Sequence, residues 1–172
     1  MLTCPKQQYA KKGGCYLRPN NTHRHYVEDI ALHFEQAGLS RTAGRIFGWL
    51  LICQPPHQTM TELVDGLQIS KSSISTATRY LMQVGLIQRF SLPGIRQDYY
   101  RIAEGVWQNS MNQQQEQVTI LRKLAEQGIN LLVDQPAERL NRLQEMRDFY
   151  TFLEREFPLL LDRWQAERDG SK

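Results

Sequence analysis

Apolar positions first settle into a helical rhythm at Val27, Ile30, Ala31 and Phe34. Residues three and four apart share one face of a helix, so the spacing predicts a helix from about Arg24 to Ala37, with Gly38 as its C-cap. Ser40 suits the N-cap of a second helix, in which Ala43, Ile46, Phe47 and Leu50 make one stripe. Trp49, Leu51 and Ile52 widen that stripe until the helix is apolar almost all round, which predicts a buried centre for the domain. Pro55 and Pro56 stop it. Residues 1–22, by contrast, are polar, broken by Pro5, Gly13, Gly14 and Pro19, and read as a loose arm.

From Thr59 to Ile102 the pattern changes twice within one run. Thr59-Met60-Thr61-Glu62 fits a capping box and opens a helix that buries Leu63 and Leu67. Ile69 falls in a turn, and Ser70 can cap the next helix, whose Ile74, Ala77, Leu81 and Met82 share a face until Gly85 ends it. The period then drops to two. Gln88, Phe90 and Leu92 alternate with Arg89 and Ser91, and Tyr100 and Ile102 alternate with Tyr99 and Arg101. That is a half-buried hairpin, with Pro93-Gly94 opening its turn. Helix, tight turn, helix and hairpin in this order predict a winged helix-turn-helix with a two-stranded wing.

Beyond the hairpin the helical period returns at Met111, Val118, Leu121, Ala125 and Leu132. Asp134 and Pro136 mark the start of a further helix, whose Leu140, Leu143, Tyr150, Leu153 and Phe157 make a heptad-like seam. The expected fold is therefore mainly α: an arm at 1–22, a winged helix-turn-helix at 23–103, and a helical region at 104–172. Terminal helices with such seams are expected to form a dimerisation region.

Charge sharpens this division. A net charge of +3 over 172 residues says little, but its distribution is uneven. Residues 1–25 carry +5, residues 26–39 carry −3, residues 40–103 carry +4, and residues 104–172 carry −3. Positive charge thus gathers on the arm and on the helix-turn-helix run, as expected if that half meets phosphate and the other meets protein. The longest apolar run near a helix, WLLIC from Trp49 to Cys53, is too short to span a bilayer, and no basic-then-apolar start suggests a signal peptide. Cys4, Cys15 and Cys53 form no close pair, so a reducing cytoplasm is the expected home.

The candidate contact residues lie where the pattern leaves them. On a wheel of about 100° per residue, Ser72, Ser75, Thr76, Arg79 and Gln83 point away from the apolar face of the helix from Lys71 to Val84. Short hydroxyl side chains there let the backbone approach a groove floor. Ser and Thr bond phosphate or base edges, and Arg79 can reach a guanine edge. Lys71, Ser72 and Ser73 sit at the helix start, where free N–H groups favour phosphate. Arg96, at the wing tip between Gly94 and Asp98, is placed for a minor groove or a phosphate; the competing reading pairs it with Asp98. Arg89 and Arg101 are expected on the outward face of the strands.

The stretch from Gly38 to Ile102, above all GRIFGWLL, SKSSISTATRYL and PGIRQDYY, resembles the MarR-like regulators and most of all their GbsR-type branch. The resemblance implies a dimeric winged-helix transcriptional regulator, often a repressor, without catalysis, and a small-molecule effector. It carries over Ser72, Ser73, Ser75, Thr76 and Arg79 as reading-helix contacts and Arg96 as the wing arginine. The chain after Glu104 offers no motif to match residue by residue.

Other chemistry finds little footing. His23 and His25 with Cys4 and Cys15 match no tight metal-ligand spacing. No nucleophile–base pair, phosphate loop or paired carboxylates point to an enzyme, and no cofactor is expected. Tyr26, Phe34, Trp49, Trp107 and Trp164 could form an aromatic cage for an effector, although such residues are more often core or dimer seam. The expected partners are double-stranded DNA and a second copy of the chain. A two-fold dimer predicts a pseudo-palindromic operator with half-sites about one turn apart. The alternative is a winged-helix module used for protein–protein contact; it would be favoured if the chain itself covered the face from Ser72 to Arg79.

Overall fold

The computed structural model describes residues 21–170, in two compact units divided after Val106. Cys4, Cys15 and residues 1–20 of the expected arm lie outside the described residues, while its last two, Asn21 and Thr22, already belong to a helix. The first unit runs α1 (Asn21–Gln36), α2 (Arg41–Ile52), β1 (Gln58–Thr59), α3 (Met60–Leu67), α4 (Lys71–Gln83), β2 (Ile87–Ser91) and β3 (Asp98–Ile102). The second holds α5 (Val106–Leu131) and α6 (Ala137–Gly170). Among the described residues no helix is long and apolar enough to cross a membrane.

Helix boundaries follow local chemistry. The α1 helix begins at Asn21, slightly before the apolar rhythm does, and closes on Gly38 at φ +77°, with Leu39 N–H donating to Phe34 O. Ser40 caps α2 by accepting from Ala43 N–H. That helix is the centre of the unit: Ala43, Ile46, Phe47, Trp49 and Leu50 are buried, and Trp49 is only 1% exposed. Around it close Val27 and Phe34 of α1, Leu63 of α3, Ile74, Ala77 and Leu81 of α4, and Ile87 and Tyr100 of the strands. Gly44 allows the closest approach, since a Cβ placed there would lie 2.6 Å from Ala31 Cα. Glu28 of α1 also binds Arg45 and Arg41 of α2, at 2.6 and 3.0 Å. Burial pushes the Glu28 carboxyl up, but the two guanidinium groups outweigh it and hold it below its ordinary range.

The expected hairpin has a third strand. Strand order is β1-β3-β2, all antiparallel, with Gln58↔Tyr100 and Thr59↔Tyr99 joining β1 to β3. Two residues without alternation leave no strand signal, so β1 escaped the sequence reading. The hairpin register corrects a second expectation. Arg89 pairs across with Tyr100, Phe90 with Tyr99, and Gln88 with Arg101. Residues directly opposite share a face, so Arg89 and Arg101 stand on opposite faces and not together on an outer one. Phe90 likewise turns away from Tyr100 and joins Tyr99 and Arg101.

In the second unit, Thr119 and Arg122 of α5 bond Glu154 of α6 at 2.7 and 2.6 Å, and Gly128 packs against Leu143. The α6 helix continues through Pro158, and none of its described residues is buried. The seam residues Leu140, Leu143, Tyr150, Leu153 and Phe157 are half-buried.

Candidate nucleic-acid interface

The α3–α4 pair is built by two caps and one left-handed residue. Thr59 and Glu62 exchange both bonds of a capping box, Thr59 N–H donating to Glu62 Oε2 at 2.7 Å and Glu62 N–H to Thr59 Oγ1 at 3.2 Å. Gln68 makes the turn at φ 55°, with its amide Nε2 donating to Asp65 O at 2.7 Å. Ser70 then caps α4, accepting from Ser73 N–H at 3.2 Å. Its hydroxyl also lies 3.0 Å from Ser72 Oγ and 2.8 Å from Ser73 Oγ.

On the far side of α4 from the core, Lys71, Ser72, Ser73, Thr76 and Arg79 are exposed, and Ser75 is half-buried. Among the described residues no element of the reading unit covers this face; cover by the chain itself is the condition that would have favoured a pure protein-contact module. Ser72 and Arg79 stand seven residues apart, roughly 10 Å along the axis at 1.5 Å per residue. That matches about three base pairs at roughly 3.4 Å each. The hydroxyls differ in what they are free to do. Ser72 and Ser73 share in the Ser70 cap, whereas Thr76 and Arg79 have no partner among the described residues. Thr78 is turned inward and donates to Ser75 O at 3.1 Å.

The wing sorts its cations in a similar way. Arg89 binds Asp98 at 3.2 Å, and Ser91 Oγ donates to the same carboxylate. Asp98 therefore pairs with Arg89 and not, as the competing reading had it, with Arg96. Arg101 binds Glu104 at 2.7 Å and lies over the Phe90 ring at 4.8 Å. Arg96 is exposed and unpaired among the described residues, in a turn where Pro93 precedes Gly94 at φ +77° and Ile95 N–H donates to Leu92 O. The Arg89–Asp98 bridge is solvent-exposed and of a kind worth roughly 0–1 kcal/mol, so Arg89 can leave it for a phosphate.

The proposed aromatic cage does not assemble. Phe34 and Trp49 are core residues of the first unit, because α1 and α2 need their bulk there. Trp107 and Trp164 instead line a groove of about 380 Å³ in the second unit, with Met111, Leu160 and Leu161.

Over 145 residues the chain is 36% identical to the HTH-type transcriptional regulator MmpR5 of Mycobacterium tuberculosis, covering 84% of this chain and 87% of that protein. The chain belongs to the MarR family of transcriptional regulators. A family model described as MmpR5-like MarR family transcriptional regulator matches residues 105–167. The putative HTH-type transcriptional regulator YvaV of Bacillus subtilis is 24% identical over 147 residues, or 76% of this chain and 82% of that one. A solved structure of a transcriptional regulator superposes with a TM-score of 0.71 at 34% identity, covering 84% of this chain and 99% of the other. The family signal over 105–167 lies in the helical region where no motif was legible. For a MarR-family reader, the residue that sequence reasoning missed is His57, which seats against the wing. It lies between Pro56 and β1 with no periodic neighbours to announce it.

Proposed function

We propose that the chain acts as a homodimer that binds double-stranded DNA and represses transcription from a pseudo-palindromic operator. The α4 face from Lys71 to Arg79 enters a major groove, with Thr76 and Arg79 reading base edges and Ser72 and Ser75 holding the backbone. Arg96 of the wing meets the minor groove or its phosphates, and Arg89 adds a backbone contact. The observation that carries this reading is the division of polar groups: among the described residues, Thr76 and Arg79 on α4 and Arg96 in the wing loop are exposed and unpaired within one unit. The division of labour follows the sequence segments, with a basic arm at 1–22, a reading head at 23–103 and a dimerising region at 104–172.

Support for the dimer comes from apolar surface in the second unit. Leu131 and Val133 are 84% and 74% exposed, and Phe149, Phe152, Leu159 and Leu160 are each at least half exposed. A run of such side chains on two paired helices is what an association surface leaves open in one protomer. Within the family we place the chain near the GbsR-type regulators, on the SKSSISTATRYL helix and the PGIRQDYY wing. That placement entails a small-molecule effector, for which the Trp107–Trp164 groove has sufficient volume.

Selection of bound duplexes from random DNA tests the reading, combined with sedimentation at micromolar concentration. The expected result is a dimer enriching a two-fold symmetric site with half-sites about one helical turn apart. A monomer, or enrichment without symmetry, would refute it.

A further inference from the structure

His57 is held from both sides. Its N–H donates to Pro55 O at 2.7 Å, and its carbonyl accepts from Gln58 Nε2 at 2.9 Å. Gln58 is wholly buried, and its Oε1 accepts from the indole N–H of the core residue Trp49 at 3.5 Å. The imidazole itself leaves the core. It meets the Phe90 ring at 5.6 Å and 84°, and the Tyr99 ring at 5.1 Å and 85°. Phe90 and Tyr99 are direct cross-strand partners, so one ring, presented edge-on, touches both strands of the wing.

The position of this contact matters more than its strength. Thr59↔Tyr99 is the last pair that β1 makes, and beyond it only Ser91↔Asp98 joins the wing before the loop. The sheet therefore drops from three strands to two just past Thr59 and Tyr99, a level that His57, two residues back on the base side, reaches through its ring contacts with Tyr99 and Phe90; a two-stranded ribbon is the less rigid form. Arg96 lies three residues beyond Tyr99, a lever of roughly 10 Å at about 3.3 Å per residue. A tilt of about 10° at the base would move the tip by roughly 2 Å, more than a hydrogen bond to DNA tolerates.

We propose that His57 is a positioning residue for DNA binding: an aromatic wedge, anchored in the core through Gln58 and Trp49, that fixes the angle at which the wing carries Arg96. The proposal rests on the wing contact of Arg96 proposed above. It adds a residue that touches no DNA but decides whether that contact forms.

A double-mutant cycle tests it by fluorescence anisotropy on the tightest duplex from the random-DNA selection. The cycle compares wild type, His57→Ala, Arg96→Ala and the double variant, with melting followed by circular dichroism. His57→Ala should weaken binding about 3- to 10-fold, and the double variant should bind within about twofold of Arg96→Ala alone. His57→Phe, which keeps an aromatic edge at the wedge, should restore wild-type affinity. Losses that multiply in the double variant, or a His57→Ala protein that binds as wild type, would overturn the proposal while leaving the Arg96 contact intact. An Arg96→Ala protein with unchanged affinity would instead sink the wing contact, and the positioning role with it. Should His57→Ala be unfolded at the assay temperature, His57→Leu takes its place in the cycle, filling the space without an aromatic edge.

Discussion

Gly44→Ala and Gly66→Ala make the same chemical change in two helices of one unit, and they should move stability in opposite directions. At Gly44 a new Cβ would lie 2.6 Å from Ala31 Cα and 2.9 Å from Phe34 Cβ, where ordinary carbon contacts sit near 3.5–4.0 Å. Ala31 Cα is backbone and cannot rotate aside, so α1 must retreat by about 1 Å along its contact with α2. Overpacking of this kind costs roughly 1–3 kcal/mol, and a backbone clash belongs at the upper end. Replacing a mid-helix glycine returns about 1 kcal/mol of helix propensity. The net loss is about 2 kcal/mol, or a melting temperature some 4–8 °C lower for a chain of this size. At Gly66 the nearest atoms belong to the Trp49 ring at 3.8 Å, an ordinary contact. There only the propensity gain remains, up to about 1 kcal/mol and 2–4 °C. Circular dichroism melts check both variants, at one fixed protein concentration because association shifts apparent stability. A Gly44→Ala protein melting at or above wild type would refute the close α1–α2 approach.

Arg79→Ala should weaken operator binding by roughly 1–3 kcal/mol and relax preference at one base position, as read by selection on randomised sites; unchanged specificity would remove Arg79 from base readout. Arg96→Ala should lower affinity and reduce the slope of log K against log salt by about 1, and a slope that stays put would show no charged contact at the wing. Ser70→Ala should cost about 1 kcal/mol of stability through loss of the α4 cap, whereas Thr76→Ala should leave the melt unchanged and weaken DNA binding alone. Acid melts should single out His57. Burial lowers its pKa below the ordinary value, Glu62 pulls it partly back, and Arg101 pushes it down again. The folded state thus prefers neutral imidazole. The stability this provides is complete above the unfolded value near pH 6.5 and is lost as pH falls through the folded one. His57→Phe should therefore lose less stability than wild type between pH 7 and pH 5, and parallel losses would contradict the assignment.

What was legible in the chain was whatever depends on near neighbours. Ser40, Thr59–Glu62 and Ser70 announce helix starts because a cap is decided within four residues, and each cap forms where the sequence puts it. The apolar circumference of α2 announces its burial for the same reason. The wing shows the limit. Alternation within each strand is local, but which phase of β2 faces which phase of β3 is set by the length and shape of the loop from Leu92 to Gln97. One step of register separates Phe90 beside Tyr100 from Phe90 beside Tyr99, and the structure takes the second. With it go the faces of Arg89 and Arg101. The pairing of β1 with β3 is similarly non-local, since Gln58 owes its burial to Trp49 and Tyr100, neither of them near in sequence.

The same reasoning explains why the proposed contact residues and their neighbours divide into two kinds. Ser72, Ser73, Arg89 and Arg101 are polar groups with a structural use: two belong to a helix cap, one neutralises Asp98, and one lies on Phe90 while bound to Glu104. Changing them alters the frame and the contact together. Thr76, Arg79 and Arg96 have no such use among the described residues, so the fold places no demand on their identity. A reader built this way can alter the sequence it recognises through those three positions while α4 and the ribbon stay where they are. The frame depends instead on residues that never meet the ligand: Gly44 sets how closely α1 approaches α2, Ser70 starts α4, and His57 wedges the ribbon. Affinity lost at the first group should appear without loss of stability, whereas loss at Gly44 or Ser70 should appear in the melt. His57 lies between them, since its backbone is held by Pro55 and Gln58 while its ring meets the wing, so its effect on binding must pass through Arg96.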